Sequence, residues 1–394
     1  MEPNDIVIVA AKRTPIGGLL GSLSTLSAPE LGAVAHQAAL EQANLKPQDI
    51  DEVISGCVLQ AGIGQAPARQ AAIKAGIPDS ANATTINKMC GSGMKAVMLA
   101  HDLIKAGSAN IVLASGMESM SNAPYLLAKG RSGYRLGHGE LKDHMFLDGL
   151  EDAYEPGQLM GCFAENTASH FKFSREQQDE YAARSQTRAL AAQRSNAFDE
   201  EIAPVKISDR KGETVVNRDD GPDESKLAKI GQLKPAFKKE GTVTAANSSS
   251  ISDGAASLIL MTAAEAKKRG LRPLARIVAH ASHAQAPEWF TTAPVDAIRK
   301  VLNKAGWNPS EVDLFEINEA FAVVTMAAIS ELELDPEKVN IYGGACALGH
   351  PIGASGARII VTLINALRQK QKTKGVASLC IGGGEATAIA LELV

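Results

Sequence analysis

Two stretches decide how this chain is built: Asn87-Lys88-Met89-Cys90-Gly91-Ser92-Gly93 and Gly343-Gly344-Ala345-Cys346-Ala347-Leu348-Gly349-His350-Pro351-Ile352-Gly353-Ala354-Ser355-Gly356. Each runs into a helix-forming segment, and each closes on the same Ser-Gly pair. Aligning Ser92-Gly93 with Ser355-Gly356 brings the rest of the chain into register with itself. Residues 6–11 and 275–281 are short apolar, β-rich runs. Each leads through a loop to an Ala/Leu-periodic helix, at 28–43 and 294–305. A Pro-containing turn follows both helices, and then an acidic start to a buried strand, at 51–59 and 312–317. Two strand-to-helix junctions come next, at 84–100 and 340–367. The strand 111–115 matches 377–381, and 255–261 matches 386–391. Strand–helix alternation of this kind predicts two halves, each with a mostly parallel, helix-covered sheet, related by pseudo-symmetry.

The first half is interrupted. Residues 121–250 intervene before its last strand, far more than an ordinary connection. This insertion is polar, contains one clear helix at 175–198, and carries a charged, Pro/Gly-rich stretch at 210–241. An excursion of that length reads as a lid or binding loop, with an independent small domain as the alternative. The predicted division is 1–120 plus 251–272 for the first half, 121–250 for the loop domain and 273–394 for the second half.

A chain of 394 residues exceeds what one core usually supports, in keeping with two halves. Its net charge of −4 gives no reason to expect nucleic acid, so an anionic ligand must be met by a local patch or by helix ends. Apolar runs are broken by Gly, Ser or charge well before membrane-spanning length. Five cysteines without metal-type spacing argue against a disulfide framework and for a reduced, cytoplasmic protein.

Four places carry candidate chemistry. Cys90 falls on a strand-to-helix elbow, where the free N–H groups and positive end of a helix favour a thiolate and lower its pKa. A Cys beside Gly is also commonly just a small buried residue. His350, held between Gly and Pro, occupies nearly the repeat position of Cys90, so pseudo-symmetry can set the two at facing helix N-termini, as a Cys–His nucleophile pair requires. A loop histidine without a task is the plainer reading. Cys380, in Cys380-Ile381-Gly382-Gly383-Gly384, emerges at the carboxyl end of a predicted strand, where ligands of α/β sheets bind. It suits an acid/base thiol, or a buried structural one. Asn318, in Asn318-Glu319-Ala320-Phe321-Ala322, can donate to a ligand, orient a water or cap a helix.

Cys-Gly-Ser-Gly, Asn-Glu-Ala-Phe, Gly-His-Pro and Cys-x-Gly, in this order, resemble the signature set of the thiolase family. The likeness runs from Ala11-Lys12-Arg13-Thr14-Pro15 to the last strand and includes Gly116-Met117-Glu118-Ser119-Met120-Ser121. It implies a thiolase-like α/β fold: two pseudo-symmetric βαβαβαββ halves forming a layered αβαβα core, with a long loop-domain insertion. It also implies an acyltransferase that condenses two acetyl-CoA reversibly to acetoacetyl-CoA plus coenzyme A. The alternative is a broader-range 3-ketoacyl-CoA thiolase of fatty acid degradation. By resemblance Cys90 is the nucleophile, His350 activates it, and Cys380 removes a proton from the second acetyl group. His350 and a water held by Asn318 stabilise one oxyanion, and the N–H groups of Cys90 and Gly382 the other. Ser249 matches a pantetheine contact; Leu150, Met160, Phe290, Ala320 and Phe321 match the lining of the acyl and pantetheine tunnel. Phe290 replaces what is often Met, and Leu159 stands where several short-chain enzymes carry His. Many relatives have Pro-Arg near the nucleotide phosphates where this chain reads Asp219–Asp223, so Lys226 or Lys229 is the expected substitute cation. The resemblance implies no metal and no cofactor, coenzyme A being substrate and product, and a homotetramer. Condensing synthases on another acyl carrier, a non-catalytic acyl-CoA binder and a redox thiol protein are the competing readings.

Overall fold

Residues 6–11 of the strand Ile6–Arg13 are apolar on both faces and buried, as in a strand covered from two sides. The computed structural model describes residues 1–210 and 212–394; Lys211, within the charged stretch 210–241, lies outside the described residues. The sheet containing Ile6–Arg13 has ten strands. From one edge it runs Asn82–Ile86, Glu52–Gly56, Ile111–Ser119, Ser252–Thr262 and Ile6–Arg13, then Ala275–Ala284, Glu385–Leu393, Lys374–Ile381 and Leu314–Ile317, with the two-residue Gly17–Gly18 beside Ser252–Thr262. Only Ser252–Thr262 in the first half and Glu385–Leu393 in the second run against their neighbours' common direction. The two halves are joined edge to edge by antiparallel pairing of Val7 with Arg276 and Ile8 with Ala275.

The helices Ser92–Lys105 and Ser355–Gln369 form the middle layer, and the apolar residues of both halves merge around them in one core. Ala28–Ala43 and Pro67–Lys74 cover the outer face of the first half; Ala293–Ala305 and the end of Ala322–Glu331 cover that of the second. The resulting layers are αβαβα, as expected. Local signals set the helix ends where they are read: Ala28–Ala43 starts at Ser27, whose N–H donates to Glu30, and stops at Asn44 in the left-handed conformation. The insertion helix ends at Arg194, short of 198, because Asn196 turns left-handed and sends Phe198 into the core between the halves.

One expected strand is missing. The junction 340–367 has no counterpart to Asn82–Ile86, only a single parallel bridge between Phe315 and Val339. Asn340 explains why: its side-chain oxygen accepts the Ile317 N–H at 2.8 Å and its Nδ2 donates to the Ile317 carbonyl at 2.8 Å. The side chain makes the ladder bonds that further backbone would have made, so the chain is free to turn there.

The repeat's Ser-Gly pairs are the crossing point of the two central helices. A Cβ on Gly93 would lie 2.7 Å from the Ala357 nitrogen, and one on Gly356 would collide with the Met94 backbone. Neither backbone can yield without moving the Gly-rich loop in front of it. Gly356→Ala is therefore expected to cost about 3 kcal/mol in urea unfolding, at the upper end for overpacking, and to lower activity with it. Wild-type stability in that variant would contradict the close crossing.

Candidate active site

The strand Asn82–Ile86 ends just before the elbow that carries Cys90. Three local bonds shape it: Met89 N–H donates to Asn87 Oδ1 at 2.9 Å, Lys88 N–H to Ser92 Oγ at 2.8 Å, and Ser92 O–H to the Met89 carbonyl at 2.6 Å. Met89 is held at φ +47°, an uncommon conformation for a non-glycine residue, and one that the surrounding bonds sustain. The turn delivers Cys90 to the N-terminus of the helix Ser92–Lys105, half-buried and facing a cavity. The N–H groups of Gly382 and of Cys90 itself are aimed at the sulfur.

The expected lowering of the Cys90 pKa does not occur. Burial pushes the thiol up to about 11, and the two N–H groups do not offset it; the nearby Glu118 adds to the rise. Desolvation of a full charge outweighs partial charges at a helix end. His350 is shifted the other way, down to about 3, by burial and by the charge of Arg358. The resting pair is thus a neutral thiol and a neutral imidazole.

His350 is anchored by its own N–H to the Ser250 carbonyl at 3.0 Å. Its Nδ1 lies 2.6 Å from Ser355 Oγ, whose O–H donates to the Pro351 carbonyl at 3.0 Å. With the serine proton so committed, Nδ1–H must be the donor, and the lone pair is left on Nε2. Nε2 is buried with no partner in the protein, and His350 lines the cavity. Asn318 stands behind the ring, its Nδ2 3.5 Å from Nδ1 and its Oδ1 buried without a protein partner. Ser92 and Ser355, equivalent in the repeat, thus perform equivalent tasks: one fixes the elbow of Cys90, the other the tautomer of His350.

Cys380 ends the strand Lys374–Ile381, fully buried, ahead of a turn with Gly383 and Gly384 at φ +91° and +87°. Its thiol is pushed far up by burial and by charge on Cys90, which places the two sulfurs in each other's field.

The cavity holds about 230 Å³ and contains Cys90, His350, Gly382, Ser249, Leu150, Met160, Phe290, Ala320 and Phe321 among its walls. Asn318 and Cys380 lie behind that wall. Lys226 is not part of it: exposed, it donates to the Gly221 carbonyl at 2.7 Å. Asp223 is accounted for locally, as the cap of the short helix Glu224–Leu227. Much of the wall comes from the insertion, including Phe146, Leu159, Phe237 and Ser248.

Sequence reasoning missed two residues that hold the site together. Ser355 was visible only as a marker of the repeat. Glu118 is fully buried, accepts N–H bonds from Val58, Leu59 and Gly353 at 2.9–3.1 Å, and is pushed up to about 7 by burial. It ties the loop after His350 to the first half. A lone Glu in an apolar strand, Gly116-Met117-Glu118, was the available signal.

A thiol and an imidazole with a free lone pair on the wall of one cavity, two inward N–H groups and a second thiol buried behind that wall define an acyl-transferring enzyme on a doubled α/β fold. Comparison with known proteins agrees. The family "Thiolase, N-terminal domain" matches residues 6–264, and "Thiolase, C-terminal domain" matches residues 271–393. An acetyl-CoA acetyltransferase of Cupriavidus necator is 52% identical over 98% of this chain and 99% of its own. Acetyl-CoA acetyltransferase 2 of Arabidopsis thaliana is 51% identical over 100% of this chain and 98% of its own. The crystal structure of the Bacillus anthracis acetyl-CoA acetyltransferase superposes with a TM-score of 0.97 at 43% identity, covering 99% of both chains. The chain belongs to the thiolase family.

Proposed function

We propose that this chain is an acetyl-CoA acetyltransferase, joining two acetyl-CoA to acetoacetyl-CoA with release of coenzyme A, and running in reverse when coenzyme A is in excess. The observation that carries the reading is the narrow, mostly apolar cavity of about 230 Å³ that ends on Cys90 beside the free Nε2 of His350. Bulky Phe290 and Phe321 in its wall favour a short acyl group over a long one.

The proton inventory follows from the neutral resting pair. Cys90 gives its proton to His350 Nε2 as sulfur attacks the thioester carbonyl. The N–H groups of Cys90 and Gly382 support the developing oxyanion, a contribution of about 3–4 kcal/mol for a well-placed donor. Coenzyme A leaves with the proton of Cys380. Cys380 is left as a thiolate while His350 is an imidazolium, so the net charge of the buried site is the same as at rest. Cys380 next takes a proton from the methyl carbon of the second acetyl-CoA. His350 and a water on Asn318 support the enolate oxygen, which the unpartnered Nε2 and Oδ1 suit. The carbanion attacks the acyl-Cys90 carbonyl, Cys90 leaves and recovers its proton from His350, and the site is reset. No step calls for a metal or a cofactor. Ser249, Leu150, Met160 and Ala320 serve the pantetheine arm and acyl group. Lys226 serves the nucleotide phosphates only after releasing Gly221.

The division into 1–120 plus 251–272, 121–250 and 273–394 suits this reading, with the insertion as the roof of the coenzyme A channel. A homotetramer is favoured by the sheet edge at Asn82–Ile86 and by Tyr125, Leu136 and Leu141, which are 64–96% exposed in the insertion. No helix among the described residues is long and apolar enough to cross a membrane; the five free cysteines fit a reducing cytoplasm.

Measuring kcat/KM for thiolysis across 3-oxoacyl-CoA chain lengths tests the assignment. A fall of at least about tenfold beyond the four-carbon substrate is expected, a few methylenes' worth of steric rejection. A flat profile would favour the broad-range degradative thiolase instead.

A further inference from the structure

Well away from the cavity, the helix Ser92–Lys105 and the strand Ala275–Ala284 bring together three side chains that the thiolase reaction does not use: His101, Asp102 and His280. His101 Nδ1 is 2.9 Å from Asp102 Oδ1, His280 Nε2 is 3.0 Å from the same oxygen, and the two ring nitrogens are 3.2 Å apart. The imidazoles meet edge to face, at 83°.

Hydrogen bonding alone serves this triangle poorly. If both facing ring nitrogens carry protons, both donate to Asp102 but two N–H groups then confront each other at 3.2 Å. If only one does, a single proton is shared among three contacts. A cation is different, because each of the three atoms can direct a lone pair at it. Donors 2.0–2.1 Å from a tetrahedral metal lie about 3.3 Å from one another, close to the separations found here before any adjustment. Two imidazoles and one carboxylate suit zinc and the other late first-row divalent ions. Asp102 is 55% exposed at its side chain, so the fourth position faces solvent. The opposing feature is Lys304, which donates to the His280 carbonyl at 2.9 Å and adds positive charge nearby.

We propose that His101, Asp102 and His280 form a binding site for a divalent transition-metal ion, with water in the open position. The site bridges the helix Ser92–Lys105, which starts just after Cys90 in the first half, and the first strand of the second half. Its occupancy locks these two elements together and raises stability, leaving the chemistry at Cys90 alone.

The experiment is calorimetric titration of the chelator-stripped, full-length protein with Ni2+, an ion better suited to imidazole than to the thiols present. One ion per chain is expected, with a dissociation constant well below about 1 mM. His101→Ala and His280→Ala should each weaken binding at least tenfold. Ni2+ should raise the melting temperature of the wild type and not that of His280→Ala, with kcat unchanged in the metal-free variant. Should alanine disturb the packing, His280→Gln keeps a polar side chain of similar reach and permits the same comparison. Equal Ni2+ affinity in wild type and His280 variants, or a wild-type dissociation constant above about 1 mM, overturns the proposal. Because binding and melting are read without substrate, the result stands apart from the assignment of the catalytic reaction.

Discussion

Cys90→Ser is expected to lower kcat at least about a thousandfold in both condensation and thiolysis, with the fold intact. The reason lies in the proton that must leave. The Cys90 thiol is raised to about 11, and its acceptor His350 is lowered to about 3, so transfer is already uphill in the resting site. Attack on the thioester and the N–H groups of Cys90 and Gly382 make up the difference for sulfur. A serine hydroxyl is several units less acidic again and would form an ester, a poorer acyl donor to the enolate. Circular dichroism and melting temperature establish that the variant is folded; steady-state kinetics with acetoacetyl-CoA and coenzyme A give the loss. A drop of less than tenfold would remove Cys90 from the role of nucleophile.

Cys380→Ser should separate the two halves of the reaction. Acylation needs Cys90 and His350, and coenzyme A leaves tolerably as a thiolate near its own pKa, so release of one coenzyme A per site from acetyl-CoA should slow by no more than about tenfold. Proton removal from the methyl carbon depends on Cys380, so condensation should fall at least about a thousandfold, within the 10²–10⁴ range of positioned general bases. Exchange of acetyl-CoA methyl hydrogens into deuterated water should vanish with it. Persistent exchange would assign the base elsewhere. An equal loss in acylation and condensation would mean that Cys380 acts through the packing of Cys90 rather than on substrate.

Much of this architecture is legible in the chain. The helix 28–43 coincides with its reading because Ser27, Glu30 and Asn44 are local signals that act within one turn. The reactive residues stand out because small residues cluster around them, and the clustering has a cause: Gly93 and Gly356 cross at contact, and only Gly permits that crossing. The same crossing brings the loops of Cys90 and His350 to the wall of one cavity, so the Ser-Gly repeat is at once the mark of the doubled fold and a pointer to that cavity. One expected strand failed where a side chain took over a task of the backbone. Asn340 replaces a strand by bonding Ile317 on both sides, and nothing in its neighbours announces this.

The sequence by itself determined the doubled α/β plan and the order of its elements, and it singled out Cys90, His350, Asn318 and Cys380 as candidates, because these depend on period, on turn residues and on motifs spanning a few positions. Tertiary structure alone decided what state those groups are in. The neutral thiol and imidazole arise from desolvation, a sum over neighbours drawn from both halves and the insertion, and it outweighs the local helix end that pointed the other way. Tertiary structure also decided that Ser355 sets the His350 tautomer and that Glu118 fastens the loop behind it. The meeting of His101 with His280, 179 positions apart, belongs to the same class. Contacts of that range are paid for by the whole fold, and no stretch of chain a few residues long encodes them.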